Sequence, residues 1–300
     1  MTQTDIKDTD SPRGLAFAVS AYFLWGFLPL YMKLLDAVPA LEIVAHRIVW
    51  SVPVAAVVLA LLGRTRDIRA ALRSPRMLAM GALTATLITV NWCIYVWAVT
   101  SGHALEAALG YYINPLFSIF VGWLLLGERM TRGQWAAIAL AVAAVAVMTF
   151  EAGRLPLVAL GLTLSWGAYA LCKKRLPIGP NQGFLLEVMI LSLPALVYLG
   201  WLGTTGQGTF GSDMRDSWLL AGCGVVTAVP LMLYANGAPL IRLSTAGILQ
   251  YIAPTMIFLC AVLAFGEPFE GARLLAFPMI WTALGIYSVP MLRQMKSVRT

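Results

Sequence analysis

Glu42 and His46 stand four residues apart in an otherwise apolar stretch, so on a helix they share one face and can pair. A carboxylate beside an imidazole at membrane depth is the chemistry of a proton carrier or an ionic gate. Glu187 occupies a similar place, early in a later apolar stretch. The plainer reading of all three is a structural ion pair, or a side chain snorkelling to the interface. Asn91 and Tyr95 are also i and i+4; Asn114 follows Tyr111 and Tyr112, Asn236 follows Tyr234, and Gln250 precedes Tyr251. An amide in lipid needs a partner. Aromatic faces carrying a few amides and hydroxyls suit a small amphipathic solute. Trp25, Trp166 and Tyr169 add further aromatic surface, although any single one also fits helix packing or an interfacial belt.

The chain carries no HExxH, GxSxG or P-loop lysine motif. His46 and His103 are the only histidines, which excludes a His-rich metal site. Cys93, Cys172, Cys223 and Cys260 all fall in apolar stretches without close spacing and read as packing residues, neither disulfides nor metal ligands. No cofactor is expected. Without a nucleotide-binding motif, the chain does not use ATP directly, and no ATPase subunit is required.

These groups must be held by helices in lipid. Of 300 residues, 60% are apolar and 12% charged, too little charge for a water-facing surface. Crossing the hydrocarbon takes about 20 apolar residues. Ten stretches qualify, at about 14–34, 40–62, 77–99, 104–126, 132–150, 155–174, 182–203, 217–238, 244–266 and 270–291. Polar tails at 1–13 and 292–300 flank them, and no signal-peptide pattern precedes the first span. The net charge of +7 follows topology, not nucleic acid. With the N-terminus inside, sixteen Lys and Arg fall in inside segments, five of them from Arg64 to Arg76. Only Lys33, Arg154, Arg215 and Arg273 fall outside, and Arg47 lies within a span. Both termini are therefore expected in the cytoplasm.

The chain repeats itself. Tyr112-Ile113-Asn114-Pro115 and Gly127-Glu128 in the fourth span match Tyr251-Ile252-Ala253-Pro254 and Gly266-Glu267 in the ninth, at an offset of 139. Tyr95 falls on Tyr234 at the same offset, and Trp25-Gly26 meets Trp166-Gly167 close to it. Such coincidences at nearly one offset mark an internal repeat, here residues 14–150 and 155–291. Five spans per repeat is an odd number, so the halves are inverted, an architecture recurrent in transporters. Pro115 and Pro254 each free a carbonyl inside an apolar span and are expected to kink helices walling a central cavity. A structural kink is the alternative. The alanine-rich fifth span reads as scaffold.

The stretches WGFLPLYMKLL…VPALEIVAHRIVWS, SGHALEAALGYYINPL and LGERMTRGQW resemble the EamA branch of the drug/metabolite transporter superfamily, and its RarD-like members in particular. The compact ten-span form is also similar to YddG-type amino-acid exporters. The resemblance implies an all-α bacterial inner-membrane carrier, alternating access, and a cavity lined by the third, fourth, eighth and ninth helices with the first and sixth. The expected substrate is an amino acid or similar amphipathic metabolite with an aromatic or apolar side chain. Trp25, Tyr95, Tyr112, Trp166, Tyr234 and Tyr251 would wall the cavity, and Asn91, Asn114, Asn236 and Gln250 would orient the polar group. Glu42, His46, Glu187, Pro115 and Pro254 are gating or coupling candidates. Chloramphenicol-type multidrug efflux is the alternative, and an intramembrane enzyme or sensor a third.

Overall fold

The computed structural model describes residues 10–63, 66–126, 130–241 and 243–297. Helices dominate: α1 (Pro12–Lys33), α2 (Ala40–Leu61), α3 (Arg66–Leu72), α4 (Pro75–Thr100), α5 (Ala104–Leu126), α6 (Arg132–Ala152), α7 (Leu157–Lys174), α8 (Pro180–Thr205), α9 (Met214–Gly237), α10 (Leu243–Leu249), α11 (Ile252–Leu259) and α12 (Ala272–Ser297). Eight helices are long and apolar enough to cross a membrane, and two shorter apolar segments, Leu157–Lys173 and Ile252–Ala264, bring the number to ten.

Local chemistry sets many of the ends. Proline opens α1, α4 and α8 at a position where its missing N–H costs nothing. Thr131 and Gln134 form a reciprocal capping box on α6, and Asp213 caps α9 through the Asp216 N–H. Gly153 and Gly206 end α6 and α8 at φ 63° and 67°, a conformation that strains residues with a side chain. Phe150, Leu61 and Leu263 stand 86, 82 and 77% exposed on these apolar helices, as suits a surface that faces lipid.

The packing pattern carries the repeat. α1 packs on α9, and its repeat mate α7 packs on α4; α2 packs on α9, and its mate α8 on α4. α1 meets α11 as α7 meets α5, while α2 meets α8 and α6 meets α12. Exchanging the halves returns each of these contacts, as a pair of related five-helix units requires. The most extensive of these contacts joins α6 to α12, which suits a scaffold role for both.

Three features depart from the sequence reading. The connection after α2 contains a helix, α3, because Ile68 and Ala71 give it a buried side. The ninth span is not continuous: α10 ends at Leu249, Gln250 and Tyr251 form a turn, and α11 passes into a π-helical turn at Cys260–Ala264. Pro254 cannot donate to the carbonyl of Gln250 four residues earlier, and the break falls there. Pro115 leaves α5 continuous. Lastly, α12 runs to Ser297, beyond the expected end at 291.

Candidate functional site

Along the α2–α9 crossing, small residues bring the two backbones together. Gly224 lies against the backbone of Trp50, and the Ser51 hydroxyl donates to the Gly224 carbonyl at 3.4 Å. One turn further along α9, this close approach delivers Thr227 to Arg47. The Arg47 Nε donates to the Thr227 hydroxyl at 3.0 Å, and the guanidinium lies 5.0 Å over the ring of Trp92 in α4. Arg47 is 3% exposed, and its Nη1 makes no hydrogen bond. Tyr95, Tyr111, Cys93 and Cys223 lie within electrostatic reach, and no carboxylate forms an ion pair with Arg47 among the described residues. A charged side chain at this depth costs at least about 2.5–3.5 kcal/mol, and one cation–π contact returns about 2. The hydrogen bond to Thr227 adds to that, and Nη1 is the donor left over.

Beside it, α4 is tied to α7. Asn91 donates to the Leu162 carbonyl at 3.1 Å and to the Ser165 hydroxyl at 3.0 Å, and accepts from the Tyr111 hydroxyl at 3.3 Å. Its amide is therefore engaged within the fold. Tyr95 packs on Tyr111 with ring centres 5.8 Å apart, and its own buried hydroxyl has no partner.

A second aromatic group forms where α1 meets α9. Tyr22, Trp25 and Tyr234 make a triangle with centroid separations of 5.5, 5.6 and 5.7 Å. Trp25 and Tyr234 remain half-buried. Trp166 packs on Tyr169 at 5.7 Å on α7, the repeat mate of α1.

Tyr112 and Tyr251 are brought together elsewhere, in a groove of about 470 Å³ between α5, α11 and α12, with Phe258, Trp281 and Ser288. The Tyr112 and Thr255 hydroxyls are hydrogen-bonded at 2.8 Å, and the Tyr251 hydroxyl is unpartnered. Asn114 is buried with its Oδ1 unsatisfied. Asn236 donates back to the Met232 carbonyl and accepts from Asn181. Gln250 sits at the break in the ninth span.

The expected Glu42–His46 pair is not formed. Glu42 takes instead the connection between α8 and α9: the Thr209 N–H at 2.7 Å, the Thr209 hydroxyl at 3.1 Å and the Phe210 N–H at 3.3 Å. Three donors satisfy a buried carboxylate better than one imidazole. His46 accepts from Trp50 Nε1 at 3.2 Å and stacks on Phe210 at 4.8 Å. At the same end of the bundle, Glu267 accepts the N–H groups of Ala104 and Leu105 at 2.6 and 3.0 Å, satisfying the start of α5. Its repeat mate Glu128 lies outside the described residues. Towards the end bearing the termini, Glu187 pairs with Lys173 at 2.6 Å and accepts from the Tyr169 hydroxyl at 3.3 Å.

Arg47, Tyr22 and Lys173 were not singled out by sequence. One signal was available for Arg47: Ile43, Val44, Trp50 and Ser51, its neighbours at i±3 and i±4, include no acid.

Ten apolar helices in inverted halves, with polar and aromatic groups gathered where those halves meet, define a multi-pass membrane transporter. The EamA-like transporter family model matches residues 12–150. A RarD protein of Streptomyces exfoliatus is 43% identical over 97% of this chain and 93% of its own. An uncharacterized transporter of Vibrio cholerae is 41% identical over 93% of each chain, and a chloramphenicol-sensitive protein RarD of Pseudomonas aeruginosa is 33% identical over 91% of this chain and 93% of its own. The chain belongs to the EamA/RarD branch of the drug/metabolite transporter superfamily. A crystal structure 19% identical superposes at a TM-score of 0.63 over 95% of this chain and 99% of the other, a likeness of fold alone.

Proposed function

We propose that this transporter is a secondary carrier exporting amino acids or similar small amphipathic metabolites across the bacterial inner membrane, by alternating access between its halves. Solutes with aromatic or apolar side chains are favoured. The observation that carries the reading is the Tyr22–Trp25–Tyr234 triangle, which joins helices of opposite halves and stays partly open. Such a surface offers π faces to an apolar side chain, and relative movement of the halves would remake it. Both termini are cytoplasmic in this reading, in keeping with the lysine and arginine distribution. Glu42 with His46 at one end and Glu187 with Lys173 at the other are the gating or coupling candidates, with Pro115 and Pro254 as hinges. No ATPase subunit takes part.

The second reading is efflux of chloramphenicol-type drugs, favoured by the name of the Pseudomonas aeruginosa relative. Purified protein in proteoliposomes, loaded in turn with labelled phenylalanine, leucine and chloramphenicol, separates the two. Exchange of the amino acids supports the first reading. Drug-stimulated proton movement without amino-acid flux replaces it with the second, and flux of neither removes both.

A further inference from the structure

The buried cation at the α2–α4–α9 junction keeps one donor, Nη1, without an acceptor. We infer that Arg47, with the Tyr95 hydroxyl, forms a subsite for a carboxylate carried by the solute. This deepens the carrier reading and rests on it for what happens after binding.

Three observations converge. The Arg47 side chain is nearly fully buried, with Nε satisfied by Thr227 and one face covered by Trp92, while Nη1 is left without an acceptor. The Tyr95 hydroxyl, also buried and unpartnered, belongs to the same face of α4 as the Trp92 ring that the guanidinium covers, one turn along. Thr227 and Trp92 are the groups against the guanidinium, and among the described residues no carboxylate pairs with it. Two unfilled donors, one of them charged, call for an anionic acceptor. A guanidinium fork fits the two oxygens of a carboxylate.

Nearby acceptors do not compete for the site. The Asn91 oxygen already accepts from Tyr111. Both Glu42 oxygens are held by Thr209 and Phe210. A chloramphenicol-type drug carries no carboxylate to fill the site, so the subsite also discriminates between the two readings of function. A merely structural arginine, bridging α2 to α4 and α9, would be indifferent to whether the solute carries a carboxylate.

The test uses the full chain in detergent and follows ligand stabilisation of its thermal unfolding midpoint. L-leucine and L-phenylalanine carry the carboxylate, 4-methylpentanoate carries it without the ammonium, and L-leucinamide lacks it. The expected result is saturable stabilisation by L-leucine or L-phenylalanine and little or none by leucinamide. Binding of 4-methylpentanoate would assign the subsite to organic acids at large, and its failure to bind would restrict it to amino acids. Arg47→Gln is expected to weaken the carboxylate ligands about 10- to 100-fold, from the loss of charge-assisted hydrogen bonds, and Arg47→Lys less. Equal stabilisation by leucine and leucinamide overturns the inference, as does an unchanged Arg47→Gln or no stabilisation by any carboxylate. Should Arg47→Gln not fold, the ligand comparison on the unaltered protein decides. Carboxylate-selective binding without flux in proteoliposomes would sink the carrier reading and leave the subsite standing. Flux without carboxylate selectivity would do the reverse.

Discussion

Gly224 of α9 sits directly on the backbone of Trp50 in α2, so close that a methyl group there would overlap the Trp50 carbonyl. Backbone stands against backbone, and neither can move aside as a flexible side chain would. The contact also sets the register that brings Thr227 to Arg47.

Gly224→Ala is therefore expected to force α2 and α9 apart and destabilise the fold by about 1–3 kcal/mol. Gly200 in α8 faces open space and serves as the control, since alanine there removes only a helix penalty of about 0.5–1 kcal/mol. Thermal unfolding in detergent should show a lower midpoint for the first variant and an equal or higher one for the second. Equal midpoints for Gly224→Ala and the parent would contradict the close crossing.

Glu42 acts as a latch on the connection between α8 and α9. Glu42→Gln keeps the shape and removes the charge shared by three donors. Hydrogen bonds to charged groups contribute about 1.5–3 kcal/mol each, so the segment around Thr209 should open more often. Amide hydrogen exchange at residues 207–212 is the readout. Faster exchange confined to that segment is expected, and unchanged protection would show that the carboxylate does not hold it.

Lys173 and Glu187 form a pair with Glu187 only 1% exposed. Lys173→Met alone strands a buried carboxylate, at an expected cost of about 3–5 kcal/mol. The double variant Lys173→Met, Glu187→Met should recover most of that loss. A double variant no more stable than the worse single one would mean that the two groups act independently. If Glu187 also couples transport to protons, Glu187→Gln should abolish any dependence of flux on a pH gradient.

Much of the fold was legible because lipid imposes simple rules. Length, apolarity and the parity of five spans lead directly to inverted halves, and the 139-residue offset names the mates. The break at Gln250 and Tyr251 was not legible, since Pro115 and Pro254 sit in matching sequence surroundings yet only the second interrupts its helix. That asymmetry is tertiary. The Glu42–His46 pairing was the wrong local choice because loop donors from Thr209 and Phe210, 167 and 168 residues away, compete better than a neighbour one turn along. Among the candidate site residues, Trp25 joined Tyr234 and Tyr112 joined Tyr251, but in two separate places. In the sequence Arg47 is only a charge inside an apolar span. What distinguishes it, the want of an acid partner across the bundle, emerges only when the helices are packed.

Counterflow in proteoliposomes bears most directly on the central claim. Vesicles containing the protein and preloaded with unlabelled L-leucine or L-phenylalanine are diluted into the labelled amino acid, with no ATP present. A carrier of amino acids predicts transient accumulation of label above equilibrium, absent from protein-free vesicles and dependent on the preload. Label that only equilibrates, at the same rate with or without preload, would contradict the account.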